Sequence, residues 1–333
     1  MKKLIAVMLS IVMILSLTAC AASEPAATEA PAAEAGTKTE LTVAIVQQLD
    51  HSSLDEIREA IKAQLNALAE PTNYTITIEE YNGQNDASML NQIGTQVVAD
   101  NVDMIIPIAT LAAQSMVTAA DGTDTPIVYA AISDPAGAGL TDIPTVTGVS
   151  DALNTNFIMD MMFAADPDIQ TVGLLYSNSE INSEAPIRDA KAYLDAKGIA
   201  YVEKTGNTAN EVIAAASDLV GRVDAVFTPT DNVVMATEAA VAEILNEAAI
   251  PHYTGADSFV LSGAFTTCGV NYTELGTKAA DMAFDILMGG EISDYHVMEG
   301  GIITVNTETA AALNLDYSVF ADMANTVNEV TTG

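Results

Sequence analysis

Asp231 and Asn232 stand where a short apolar run, residues 225–227, gives way through Pro229 and Thr230 to a run of helical character over 233–245. Small polar side chains at such a junction cap the helix start. Beside free helix N–H groups they also make the kind of place where open α/β sheets bind ligands. The same design occurs over residues 103–116, where a strand over 103–106 leads to Thr110 and Gln114 at the next helix start. The lead-ins match too, Val98, Val102 and Asp103 corresponding to Leu219, Val223 and Asp224. Two such units predict two similar lobes whose strand ends face one another across a ligand.

Other strand ends carry like groups: Gln47, Gln48 and His51; Ser133 and Asp134; Asn178, Glu180, Asn182 and Ser183; Asp257 and Ser258. Their chemistry is hydrogen bonding with one or two carboxylates. Carboxylates suit a ligand amine and helix N-termini suit a ligand carboxylate, so an α-amino acid answers both. Each residue singly reads as well as an N-cap or a turn former. The joint pattern is what points to a site.

Enzyme signatures are missing. The sequence has no G-x-G-x-x-G, no Walker loop, no G-x-S-x-G and no H-E-x-x-H. His51, His252 and His296 are far apart, and an Asp231–Asp257 acid–base pair would lack a nucleophile or metal set. After Cys20 the only cysteine is Cys268, inside the apolar run 264–270, where a small buried hydrophobe is the expected reading. The expectation is a binding protein without catalytic residues, metal or cofactor.

The elements that must position these residues alternate. A buried strand over 41–46 is followed by a helix with Leu54, Ile57, Ile61, Leu65 and Leu68 on one face, a strand over 74–81, and a helix capped by Asn85 or Asp86. Strands over 103–106 and 126–130 flank a helix over 110–119. A second series follows residues 146–150: helix 154–165, strand 171–176, helix 184–197, strand 199–204, helix 210–220, then the 225–245 unit. Strands over 251–255, 264–270 and 301–305 and helices over 273–288 and 308–313 complete it, with the last dozen residues unassigned. Strands separated by helices at this spacing mean βαβ units, parallel sheets and right-handed crossovers.

With 333 residues, half of them apolar, there is material for two cores. Charge is lopsided, 11 Lys plus Arg against 45 Asp plus Glu for a net of −34. Such a field repels phosphate backbones and excludes nucleic acid as a partner. Lys2 and Lys3 precede an apolar stretch over 4–17 that is short for a membrane span, and Leu17-Thr18-Ala19-Cys20 follows. This order resembles a bacterial lipobox. It implies a signal peptide over 1–19 and a lipidated Cys20 that holds the protein on the outer face of the cell membrane. Residues 21–39, rich in Ala, Pro and Glu, read as a tether.

From about residue 41 to 315 the chain resembles the ABC-transporter substrate-binding lipoproteins that include tryptophan- and tyrosine-binding members. The match is carried by Val43-Ala44-Ile45-Val46-Gln47 with Asp50-His51, by Ala109-Thr110-Leu111-Ala112-Ala113-Gln114, and by Ala131-Ile132-Ser133-Asp134-Pro135. It continues through Leu174-Leu175-Tyr176-Ser177-Asn178-Ser179-Glu180-Ile181-Asn182-Ser183, Pro229-Thr230-Asp231-Asn232 and Tyr272-Thr273-Glu274-Leu275-Gly276. Two segments depart from the family's commoner forms: Tyr-Ser-Asn-Ser-Glu stands for Tyr-Asn-Pro-Ser-Glu, and Ala256-Asp257-Ser258 for a Glu-containing turn.

The resemblance implies a type I periplasmic-binding-protein fold, two doubly wound Rossmann-like lobes joined by a three-segment hinge. Crossings are expected near 148–153, 270–273 and 289–294. They would divide the chain into a first lobe, 40–149 with 271–290, and a second, 150–270 with 291–333. The implied function is an extracytoplasmic receptor, a monomer, that closes on a small solute and delivers it to an ABC permease; the expected ligand is an aromatic amino acid. Thr110, Ser133, Asn182 and Ser183 are then expected at the ligand carboxylate and Asp231 or Asp257 at the amine. Phe259, Tyr272 and Tyr129 are candidate walls. Competing readings are a receptor of the same fold that presents its ligand to a signalling partner, and a solute other than an amino acid.

Overall fold

The computed structural model describes residues 39–333. The expected signal peptide, Cys20 and nearly all of the tether lie outside the described residues.

In the first half of the chain, strands β1 (Thr39–Gln47), β2 (Tyr74–Asn82), β3 (Met104–Ile108), β4 (Ile127–Ala130) and β5 (Val146–Ser150) alternate with helices α1 (Ser52–Ala69), α2 (Ala87–Ala99) and α3 (Thr110–Ala119). The second half opens with α4 (Thr155–Ala165), β6 (Thr171–Tyr176), α5 (Glu184–Lys197), β7 (Ala200–Thr205), α6 (Ala209–Leu219) and β8 (Ala225–Thr228). It continues with α7 (Asn232–Met235), α8 (Glu238–Glu247), β9 (His252–Thr254), α9 (Asp257–Leu261), β10 (Thr266–Gly269) and α10 (Tyr272–Leu287). The tail holds β11 (His296–Val297), β12 (Ile302–Asn306), α11 (Thr307–Ala312) and β13 (Thr326–Val330).

Two sheets result. The first runs β11-β5-β4-β3-β1-β2 and is parallel throughout. The second runs β13-β12-β10-β9-β8-β6-β7, parallel except where β12 meets β10 antiparallel. Each sheet is covered on both faces, which is why central strands such as β3 and β4 read as continuous apolar runs, unlike the half-exposed edge strands β2 and β7. In β1, Val43 and Ile45 join a core with Ile57, Ile61 and Leu275, whereas Ala44 and Val46 face Leu90, Val97 and Met116 on the other side. Helices α1 and α10 approach closely over the first of these faces. A Cβ on Gly276 would stand 2.6 Å from the Ile57 carbonyl oxygen, so the crossing requires glycine.

The chain passes between the sheets three times, at residues 151–154, 270–271 and 298–301. The third passage comes later than the expected 289–294, because His296 and Val297 first add to the edge of the first sheet beside Val149 and Ser150. A two-residue strand is too short to show period-2 alternation. The run over 233–245 is two helices and not one. The first ends at Met235, and the Val234 carbonyl accepts both the Thr237 amide at 2.9 Å and the Thr237 Oγ1 at 3.0 Å in place of a continuing helix bond. Asp257 and Ser258, expected at a strand end, open the short helix α9 instead.

Candidate functional site

The C-terminal ends of β1, β3 and β4 face those of β8 and β9, and the helix starts after them close a cavity between the lobes. The first lobe contributes His51, Ser53, Leu54, Ala109, Thr110, Ala131 and Ser133. Asn182, Thr230, Asp231, Asn232, Met235, Ala256, Ser258 and Phe259 come from the second lobe, with Asp151 and Tyr272 beside the crossings. The space left between them is about 30 Å³, room for one or two waters. The cleft is shut.

Four side-chain hydrogen bonds bridge it. Gln48 Nε2 donates to Glu180 Oε1 at 3.0 Å, and His51 Nε2 lies 3.3 Å from Asn232 Oδ1. Ser53 Oγ donates to Asp257 Oδ1 at 3.1 Å, and Ser133 Oγ and Thr230 Oγ1 are 3.0 Å apart. Ser133 also donates its single hydroxyl proton to Asp151 Oδ1 at 3.0 Å, so Thr230 must be the donor to Ser133. A chain Thr230 → Ser133 → Asp151 therefore runs from one lobe through the other to the first crossing.

Backbone strain gathers at the same place. Ala109 and Ala131, which directly follow β3 and β4 and line the cavity, have φ of 73° and 59°. Alanine in that region is held against a cost of roughly 1 kcal/mol or more each. The turns it permits bring small side chains, not bulky ones, to the cavity wall.

The carboxylates have different fates. Asp231 is consumed by the fold: Oδ1 accepts the Val233 and Val234 amides at 3.1 and 3.0 Å, and Oδ2 accepts the Ser177 amide and the Ser183 hydroxyl, both at 2.7 Å. Asp257, its pKa raised by burial, takes the Ser53 hydroxyl. Asp151 is almost fully buried with one side-chain donor, and burial pushes its pKa up to about 6. Glu180, one layer behind the cavity, accepts from Gln48 and from Asn232 Nδ2 at 2.7 Å. Burial, with the charge of Asp231 beside it, pushes Glu180 up to about 7.

Of the residues singled out by sequence, His51, Thr110, Ser133, Asn182, Thr230, Asp231, Asn232, Ser258, Phe259 and Tyr272 meet around this cavity. The others do not line it. Gln47 is turned into α1, donating to Asp55 at 2.8 Å and accepting from Arg58 at 3.0 Å. Gln114 donates to the Ala138 carbonyl, Asp134 caps Gly137, and Asn178 donates to Thr205. Ser183 is spent on Asp231, while Glu180 and Asp257 stand behind the lining as described. Tyr129 is wholly buried in the core on the outer side of the first sheet.

Asp151, which the sequence places at a crossing, also lines the cavity. The signal for it is a carboxylate directly after a buried strand, at the point where the chain changes lobes. Leu54, Met235, Ala109, Ala131 and Ala256 carry no polar chemistry and so gave none.

A family model described as "ABC transporter substrate binding protein" matches residues 42–322. A tyrosine-binding protein of Clostridioides difficile is 30% identical over 306 residues, 90% of this chain and 88% of its own. Among solved structures, an ABC domain from Streptococcus pneumonia in complex with L-Trp has 27% identity and a TM-score of 0.81, covering 87% of this chain and all of that one. The ligand-free, open structure of a substrate-binding protein with adhesive properties from Clostridium difficile has 30% identity and a TM-score of 0.67, over 88% of this chain and all of its own.

Proposed function

This chain belongs to the ABC transporter substrate-binding protein family, and on that premise we propose that its cavity takes an aromatic α-amino acid. Asp151 is the observation that carries the reading. A buried carboxylate with a single side-chain donor, in a cavity whose other carboxylate, Asp231, is taken up by the fold, suits an ammonium. Asp231, taken up by four donors, and Asp257, which stands behind the lining, do not compete for it. Thr110, the second amide N–H of Asn182 and, once the lobes part and its bond to Ser133 breaks, Thr230 are the groups within the lining suited to the ligand carboxylate, and Leu54, Met235, Phe259 and Tyr272 to its side chain.

An aromatic amino acid is larger than the shut cavity, so its entry parts the lobes and their reclosure selects it by contacts to both. The greater similarity in shape to the L-Trp complex than to the open relative, against the order of sequence identity, accords with a shut cleft. In this reading the protein is held outside the cell through a lipid on Cys20 and hands its ligand to an ABC permease as a monomer.

Residues 38–333 form one compact unit, and thermal unfolding of that unit against the twenty amino acids, sugars and purines tests the ligand. Ligand at a hundredfold excess over Kd adds about 2.7 kcal/mol to folding. A shift confined to aromatic amino acids supports the reading; a shift from sugars or purines alone discards it. Mass spectrometry of the full chain expressed in a bacterium tests the anchor, which requires a diacylglyceryl mass on Cys20.

A further inference from the structure

We propose that His51 presents a bare Nδ1 as a hydrogen-bond acceptor to the ligand's side chain, so that the site prefers aromatic amino acids whose ring bears an O–H or N–H donor over phenylalanine. The inference rests on the amino-acid reading above and goes further by naming the group that reads the ring.

The argument starts one layer behind the cavity. Glu180 Oε2 accepts from Asn232 Nδ2 at 2.7 Å, which fixes the amide of Asn232 with its oxygen toward His51. Glu180 is itself fixed, since Gln48 Nε2 donates to its other oxygen while Gln48 Oε1 accepts the Leu111 amide at 2.9 Å. Facing an acceptor at 3.3 Å, His51 Nε2 carries the proton. Burial lowers the pKa of His51, above the opposing effects of Asn232, Asp55 and Asp50, and holds the ring neutral. Neutral and protonated on Nε2, the ring has an unprotonated Nδ1. That atom is sealed from solvent and has no partner among the described residues.

Ser258 Oγ is sealed and unpartnered as well. The bond from Ser53 to Asp257 ties the start of α1, which follows His51, to the start of α9, which holds Ser258. The apolar lining comes from the same helix starts: Leu54 from α1, Met235 from α7 and Phe259 from α9. An apolar wall carrying one acceptor and one hydroxyl matches a phenol, whose O–H donates to Nδ1 and whose oxygen accepts from Ser258, or an indole, whose N–H donates to Nδ1. A benzyl group would leave Nδ1 buried without a donor, a loss worth about a tenfold to hundredfold weaker binding.

Two measurements on the unit 38–333 test this. The first is calorimetric binding of L-tyrosine, L-tryptophan, L-phenylalanine and O-methyl-L-tyrosine to the native sequence and to His51→Leu. The expected order has phenylalanine and O-methyltyrosine at least tenfold weaker than tyrosine or tryptophan, with the gap between tyrosine and phenylalanine closing in His51→Leu. Equal binding of all four by the native protein overturns the role of His51 and leaves the amino-acid site standing. Binding of none removes the amino-acid reading and this inference with it. The second is the ¹⁵N spectrum of the imidazoles: a proton on His51 Nε2 is expected, and a proton on Nδ1 overturns the inference even if His51→Leu fails to fold.

Discussion

The units β3–α3 and β8–α7 begin alike and end differently. In both, an aspartate just before the central strand ties down a neighbouring strand: Asp103 Oδ2 accepts the Thr42 amide at 2.7 Å, and Asp224 Oδ2 accepts the Gln170 and Thr171 amides, each at 2.9 Å. At the other end of the strand the likeness stops. The second unit seals its helix start with Asp231, four donors on one buried carboxylate. The first unit has no side-chain cap. It turns through the strained Ala109, and its Leu111 amide is taken by Gln48 from the loop after β1. One helix start is closed by the fold, and the other leaves Thr110 to the cavity. A charge at a helix start is therefore poor evidence of a binding role when the helix itself uses it.

The difference is broken most directly at Asp231. Asp231→Ala leaves two helix amides, the Ser177 amide and the Ser183 hydroxyl without their acceptor, and is expected to cost roughly 3–5 kcal/mol in urea unfolding. Thr110→Ala caps nothing and is expected to cost less than about 1 kcal/mol by the same measurement. Comparable losses from the two would mean that the units are stabilised alike.

Asp151→Asn sharpens the comparison from the opposite side. Asparagine keeps an acceptor for Ser133 and removes a charge whose burial is unfavourable, so the unfolding midpoint is expected to hold or rise. Binding of an amino acid is expected to weaken by about a hundredfold or more, since a buried charge partner is lost. A variant that binds as well as the parent assigns the ammonium elsewhere. The two aspartates thus separate stability from binding: one substitution moves the first, the other the second.

How far the sequence could be read follows from what each element needs. Buried parallel strands announce themselves because both faces are covered, as in β1, β3 and β8. Caps announce themselves because few residue types serve, as with Asp86 and Asp231. The edge strand β11 and the tail strand β13 carry little burial and hence little pattern. Within the site, ten of the polar and aromatic candidates converge because strand ends and helix starts must face the cleft in this topology. Asp151 escapes the reading because it stands at a crossing, whereas Gln47, Gln114 and Asn178 enter it for another reason. Sequence places a side chain on a loop but does not say which neighbour has already taken its hydrogen bonds.

Acidity makes the two carboxyls behind and beside the cavity distinguishable. Glu180 and Asp151 have folded pKa values raised, to about 7 and about 6, above ordinary carboxyl values. Raised acids stabilise the fold fully at pH below their unfolded values, and that contribution is lost as pH rises through the folded ones. The unfolding midpoint is therefore expected to rise from pH 8 to pH 5, with a smaller rise in Glu180→Gln. Ligand affinity should move the other way. Asp151 must be ionised to pair with an ammonium, so binding is expected to weaken toward about tenfold per pH unit below pH 6, and to lose that dependence in Asp151→Asn. Affinity that stays flat from pH 7.5 to 5 would remove Asp151 from the amine.

The smallest effect separates bridges from ligand contacts. Ser53 joins the lobes through Asp257 at 3.1 Å, one of four side-chain bridges across the cleft. Ser53→Ala deletes that bridge, and the cost of a lost neutral-to-charged hydrogen bond, about 1 kcal/mol at a part-exposed site, falls on closure. Closure is shared by every ligand that both lobes touch, so all ligands are expected to weaken by one common factor of less than about tenfold, their ranking unchanged. His51→Leu, by contrast, is expected to change the ranking. Isothermal titration of tyrosine and phenylalanine to both variants makes the distinction, because a selective loss in Ser53→Ala would place Ser53 on the ligand and not on the hinge equilibrium.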